Sequence, residues 1–239
     1  MELIRAPIAE LRPQLTHAFE ETVGETLDRD IGGARGVTGF ACGITGGSTA
    51  LIFLGALRDA SVDWSRISLY WGDERAVPPD HPDSNYGLAE QVLLQPLAGR
   101  APNAVRMVGE ANDVHASAAA YEDRIKTDLG SDPLDLLILG IGDDGHICSL
   151  FPGHAGLAVS DRLVMAIEDS PKPPPTRITL TLPFVLASRR VWVVAVGARK
   201  LPVLRHAIAK EEPPQTPLDL VVRQAQNLRI FTDQELRAS

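Results

Sequence analysis

Short apolar runs that stop abruptly at clusters of glycines or charges restrict this chain more than any other feature. Residues 37–42 run into Gly43-Ile-Thr-Gly-Gly-Ser-Thr49, and residues 67–71 into Gly72-Asp-Glu-Arg75. Residues 134–139 run into Gly140-Ile-Gly-Asp-Asp-Gly-His146, and residues 191–196 into Gly197-Ala-Arg-Lys200. Each run reads as a strand buried on both faces of a sheet. Helical patterns lie between them at 7–28, 50–60, 113–129 and 201–210, and one more starts from a cap at Asp83 or Ser84 and runs to about 94. Alternating strand and helix predicts an α/β layered sheet. Ligands of such sheets sit beyond the carboxyl ends of the strands, so the four polar loops can converge on one site.

The rest of the chain is less informative. Residues 178–182 alternate as a strand, 183–188 read as a short helical piece, and 228–232 as a last strand. Loops are expected at 32–36, 77–83 and 213–217, the last two rich in proline. There is no linker, repeat or low-complexity tract, so residues 1–239 read as a single domain.

Composition excludes several classes. The net charge is −8, which argues against nucleic acid as a partner, since that needs a basic stripe. A few local basic residues can still hold one small anion. The two cysteines, Cys42 and Cys148, form no disulfide framework and no zinc spacing. No run of 18 apolar residues exists, so no membrane span is expected, and the charged first residues lack a signal-peptide core. A reducing cytoplasm is the expected compartment.

The motifs each admit a chemical and an inert reading. Gly46, Gly47, Ser48 and Thr49 make a strand-to-helix turn whose backbone N–H groups can receive an anion; an ordinary tight turn also needs such glycines. No lysine follows Gly47 as a P-loop requires. Gly140-x-Gly142-x-x-Gly145 matches the dinucleotide fingerprint, but Pro152-Gly153 ends any helix that would have to follow, so that reading is rejected. His146 can take a proton from water and return it to a leaving oxygen, with Asp144 to orient the ring; alternatively it is a histidine satisfied by its own loop. Arg75, after Asp73 and Glu74, can grip phosphate or carboxylate in a fork, or belong to a surface ion-pair cluster. Lys200 can hold an anion or point to solvent, and solvation is the simpler reading for Lys172 and Arg177 as well. Cys148 reads as an inert, half-buried thiol, and no Gly-x-Ser-x-Gly elbow is present. His146, His154 and Asp144 fit no familiar metal spacing. The residues alone lead to an enzyme acting on a phosphorylated ligand with a histidine base, and no further.

Taken together the motifs resemble the 6-phosphogluconolactonase family. The resemblance runs through Thr45-Gly-Gly-Ser-Thr49, Trp71-Gly-Asp-Glu-Arg75 with Val77-Pro78, Asp83-Ser-Asn85 and Leu139-Gly-Ile-Gly-Asp-Asp-Gly-His146. It continues through Ser149-Leu-Phe-Pro-Gly153, Ser170-Pro-Lys-Pro-Pro174, Arg177-Ile-Thr-Leu180 and Gly197 with Lys200. It implies a Rossmann-like three-layer α/β/α sandwich with a mostly parallel sheet. It also implies hydrolysis of a phosphorylated sugar lactone, with His146 as base. Asp144 would orient the ring or the loop, and backbone N–H groups or Arg75 would stabilise the oxyanion. Gly46, Gly47, Ser48, Thr49, Asp73, Arg75 and Lys200 would form the substrate site. No cofactor or metal is implied, and the expected assembly is a monomer or small homo-oligomer. Thr45 and Ala50 depart from the serine and proline usual in the family. The related glucosamine-6-phosphate deaminases share several of these motifs, but carry Asn-Glu-Pro where this chain has Ser149-Leu-Phe-Pro152. A deaminase or isomerase, or a phosphosugar-binding protein without turnover, remain the alternatives.

Overall fold

A computed structural model describes residues 1–29, 39–210 and 212–236. The loop expected at 32–36, and residues 37 and 38 of the first expected strand, lie outside the described residues. The chain opens with strand β1 (Glu2–Arg5) and helix α1 (Ile8–Arg29). Then come β2 (Phe40–Ile44), α2 (Ala50–Asp59), β3 (Ile67–Trp71), β4 (Asp73–Arg75) and α3 (Asn85–Ala89). A π-turn at Glu90–Leu94 continues α3. The middle of the chain holds β5 (Asn103–Val105), α4 (Val114–Leu129), β6 (Leu136–Gly140), β7 (Val164–Ile167) and β8 (Arg177–Leu180). It closes with α5 (Leu182–Ala187), β9 (Val191–Ala195), α6 (Leu201–Ala209), α7 (Pro217–Gln224) and β10 (Leu228–Thr232).

Seven strands form one sheet in the order β1-β10-β9-β6-β2-β3-β5, and every neighbouring pair is parallel. Every residue of β2, β3 and β9 is buried, as a parallel sheet covered on both faces requires. Helices supply that cover, giving the expected three-layer α/β/α arrangement, and the buried apolar side chains join in one cluster. From β2 the chain proceeds outward through β3 to β5, whereas β6 leads the other way through β9. The strand order therefore reverses between β2 and β6, which is where open α/β sheets leave a crevice for ligand.

A small antiparallel sheet, β4-β8-β7, was not expected from the sequence. It folds Asp73-Glu-Arg75 back against residues 177–179, so the charge cluster read as a loop is a strand. Helix α7 is an addition to the sequence reading, in which the proline-rich loop at 213–217 is followed only by the last strand. Thr216 and Asp219 form a reciprocal capping box with Pro217 inside the first turn, a start signal that was present in the sequence. β1, β5 and β7 were missed too; they run to only four, three and four residues. Strands so short take their definition from the neighbours that pair with them.

Candidate active site at the strand switch point

The loops after β2 and β6 face each other across the reversal point. Thr45 ties them together: its hydroxyl donates to the Ile138 carbonyl at 3.2 Å and accepts from the Gly140 N–H at 2.9 Å. The backbone N–H groups of residues 46–49 donate to no atom among the described residues. They stand at the start of the ten-residue helix α2, where the helix dipole favours an anion. Gly46 must be glycine because a Cβ there would lie 1.7 Å from Asn85 Oδ1. Thr45, Gly46, Gly47, Ser48, Thr49, Asp73, Arg75, Gly140, Ile141, His146 and Cys148 line a single cleft.

His146 lies in a tight turn closed by the Gly142 N–H donating to the His146 carbonyl at 2.9 Å. Its Nδ1 is 2.6 Å from Asp144 Oδ1, and its ring rests 4.6 Å from the Phe151 ring. An ionised carboxylate only accepts, so Nδ1 carries the proton and Nε2 presents a lone pair. Nε2 makes no hydrogen bond to the described residues. Burial, opposed in part by Asp144, pulls the imidazole pKa below its ordinary value. Burial acts to raise the Asp144 carboxyl, but the hydrogen bond and charge of His146, with Lys172, bring it down to about 2. The neutral-imidazole, ionised-carboxylate pair is therefore the resting state near neutral pH. Gly142 makes room for it: a Cβ there would lie 2.0 Å from His146 Nδ1 and 2.2 Å from Asp144 Oδ1.

On the far wall, Asp73 is buried. Its carboxylate accepts from Ser149 Oγ at 2.7 Å and from Asn85 Nδ2 at 3.1 Å. Glu74 turns the other way and accepts from the N–H groups of Arg75, Asn85 and Tyr86 at 2.7–2.8 Å. Burial raises its pKa despite those bonds. Arg75 reaches the Asp83 carbonyl at 2.9 Å through one terminal nitrogen, while its Nε is buried without a partner. Directly opposite Arg75 on β8 sits Arg177, whose guanidinium is buried; that burial, and then Arg75 itself, pull its pKa below the usual arginine range. Two facing cations and an unpaired buried donor make this wall receptive to an anion.

Most of the residues expected at the site gather there, with one qualification. Lys200 is held by Asp143 at 2.6 Å behind the loop and does not line the cleft. Lys172 and Arg177, read as solvated, are instead part of the surroundings of the site. Arg177 is buried, and Lys172 pairs with Asp144 at 3.1 Å. Ser149 and Asn85 were not expected as neighbours of Asp73; both stand in motifs the sequence displays, but nothing local marks what they touch. Cys148 is buried rather than half-buried, and burial followed by Asp73 raises its thiol pKa well above the ordinary value, which disfavours a thiolate. No group of three or more metal-ligating side chains occurs among the described residues. His154 pairs with Asp169 at 2.9 Å, away from His146.

Comparison with known proteins agrees with this fold. A family profile described as glucosamine-6-phosphate isomerases/6-phosphogluconolactonase matches residues 10–230. The human 6-phosphogluconolactonase is 36% identical over 92% of this chain and 88% of its own length. That of Mycobacterium tuberculosis is 38% identical over 81% and 83%. The crystal structure of a 6-phosphogluconolactonase from Shewanella baltica superposes with a TM-score of 0.83 at 29% identity, covering 97% of both chains. A monomeric glucosamine-6-phosphate deaminase shares the fold, with a TM-score of 0.76 at 18% identity over 99% of this chain and all of its own. By sequence along most of its length and by fold, this chain belongs to the glucosamine-6-phosphate isomerase/6-phosphogluconolactonase family.

Proposed function

We propose that this protein hydrolyses 6-phospho-D-glucono-1,5-lactone to 6-phospho-D-gluconate, with His146 as general base. The observation that carries the proposal is the Asp144–His146 pair, which leaves Nε2 open toward the cleft at the strand switch point. The 36–39% identity to relatives named 6-phosphogluconolactonase supports the substrate.

In the reaction, Nε2 removes a proton from water as the water oxygen bonds to the lactone carbonyl carbon. The carbonyl π pair moves onto oxygen and gives a tetrahedral oxyanion, which Arg75 or backbone N–H groups stabilise. When the oxyanion collapses, the bond from C1 to the ring oxygen breaks, and that oxygen takes the proton back from the imidazolium. The acid formed then loses its proton to solvent. Gly46, Gly47, Ser48 and Thr49, with Arg75, hold the phosphate and the polar oxygens, and Asp73 bounds the site; Lys200, held by Asp143, supports the loop and does not touch the ligand. Holding the phosphate places the ester beside the activated water. Neither a covalent intermediate nor a metal is needed for these steps. The two cysteines are free, which fits a reducing cytoplasm, and the working unit is a monomer or small homo-oligomer.

The test is lactone hydrolysis, with fresh lactone generated in place from glucose 6-phosphate and its dehydrogenase, and 6-phosphogluconate formation followed against the uncatalysed blank. Acceleration lost in His146→Ala supports both the activity and the base. Acceleration that survives removes His146 from that role, and a rate equal to the blank discards the lactonase reading.

A further inference from the structure

Lys172 is a surface residue by exposure, with 42% of its side chain open to solvent. Its backbone is nevertheless held unusually firmly. The Lys172 carbonyl accepts from Arg177 at 2.9 Å and from Ser170 Oγ at 2.9 Å, and its N–H donates to Ser170 Oγ at 3.2 Å. The same buried guanidinium donates to the carbonyls of Pro173 and Pro174 at 3.0 Å each. Proline removes backbone freedom on the far side of Lys172. Arg177 thus staples three successive carbonyls and presents the root of one lysine to the loop that carries His146.

From that root the ammonium reaches two atoms of the pair. Nζ lies 3.1 Å from Asp144 Oδ2 and 3.3 Å from His146 Nδ1. Nδ1 already carries the proton it gives to Asp144, so the ammonium can bond only to the carboxylate. It faces the ring as a bare positive charge. We propose that Lys172 is a positioning residue of the Asp144–His146 pair, anchoring the carboxylate and disfavouring the imidazolium so that His146 rests neutral and readily gives up the proton it takes. The proposal rests on the lactonase reading for its consequence in turnover, but not for its effect on the ring.

The other charges around His146 act differently. Asp144 from its own loop and Asp73 from β4 both favour the imidazolium. Arg75, also from β4, and the neutral thiol of Cys148 line the same cleft. The Phe151 ring covers one side and carries no charge. Among the described residues, Lys172 is the cation in direct contact with the ring. Taking it away removes the repulsion and also frees the Asp144 charge to act wholly on His146. Both effects raise the basicity of the ring.

An exposed ion pair with no further role would leave His146 unmoved, since such pairs contribute little. The experiment compares wild type with Lys172→Met and Lys172→Arg by two readouts. The first is NMR titration of the imidazole C–H signals, with His146 assigned by the signal missing from His146→Gln. The second is the pH dependence of kcat/KM for lactone hydrolysis. In Lys172→Met the His146 midpoint and the acid limb are expected to move up together by about one pH unit, which is the effect of a unit charge near 3.3 Å in a water-like medium. KM at the pH plateau stays within about twofold, and Lys172→Arg restores the wild-type midpoint, because it keeps the charge. A His146 midpoint that is unchanged or lowered in a folded Lys172→Met overturns the proposal, as does failure of Lys172→Arg to restore it. The titration needs no turnover. A shifted midpoint in a protein without lactonase activity would therefore sink the functional reading and leave the role of Lys172 standing.

Discussion

A histidine serves as a base only when one ring nitrogen is held and the other is open, and a single carboxylate does the holding here. Asp144→Asn replaces an acceptor with a group that can donate to Nδ1, which favours the tautomer with the proton on Nε2. Steady-state kinetics should show kcat lower by roughly 10²–10⁴-fold, the usual contribution of acid–base catalysis, with little change in KM. The pH dependence follows from the lowered pKa of His146. The base works when neutral, so the rate is level above the ordinary value near ~6.5 and falls as pH drops through the lowered midpoint. A limb centred above that value in wild type would contradict the assignment. Stability has its own window. The native Asp144 pKa lies below its ordinary 3.8, so its contribution is complete above that value and disappears as pH falls toward about 2. Acid should therefore silence the enzyme before it removes this contribution to the fold. Gly142→Ala tests the same pair sterically, because the added carbon would sit 2.0 Å from His146 Nδ1. A misplacement of this kind costs up to roughly 10²-fold in kcat, with the cooperative unfolding transition retained.

Among the elements, α7 has a part beyond its own stability. The Leu218 N–H donates to the Gly145 carbonyl at 3.1 Å, and a Cβ on Gly145 would lie 2.7 Å from the Thr216 side chain. The first turn of α7 therefore backs the loop that carries Asp144 and His146. Thr216 caps that turn, accepting from the Asp219 N–H at 3.2 Å. Thr216→Ala should cost about 1 kcal/mol in urea unfolding, and should also lower kcat because the loop loses its backing. Asp113 supplies the matched control. It caps α4 by accepting from the His115 and Ala116 N–H groups at 2.9 and 3.0 Å, and α4 does not line the cleft. Asp113→Ala should cost a similar amount, about 1 kcal/mol, with kcat unchanged. Equal effects on kcat would show that the loop responds to global stability and not to α7.

At the scale of the molecule, the site exists because the winding order reverses between β2 and β6. Both strands have a parallel neighbour on each side, so the loops they carry start from rigid positions. Leu139 stands just before the loop on β6 and is completely buried. Leu139→Ala should cost about 2–5 kcal/mol by lost transfer energy and cavity formation. Against a total of roughly 5–15 kcal/mol the protein still folds, and the midpoint of denaturation falls. The kcat of the folded fraction should change far less than in Gly142→Ala, because the substitution empties core volume and leaves the Asp144–His146 pair in place.

The central strands and the loops that end them were legible in the amino acids, because both are local matters. An apolar run such as residues 134–139 must be buried, and glycines at 46 and 142 allow approaches that no side chain permits. The capping box of α7 was equally local, and the prolines around it masked it. His146 and Asp144 are two residues apart, so their pairing too could be anticipated. Other contacts join residues far apart in sequence. Lys172 meets His146 across 26 positions, and Arg177 meets Ser149 across 28. Nothing near Lys172 or Arg177 distinguishes a cation held beside the site from one free in water; that depends on which strands pair. The strand β4 makes the same point. Residues 73–75 carry two acids and a base, a composition of surface turns, and they become a buried edge only because residues 177–179 lie alongside. Local sequence decides what a segment can do with its own backbone, and tertiary structure decides which distant charges share its low-dielectric surroundings.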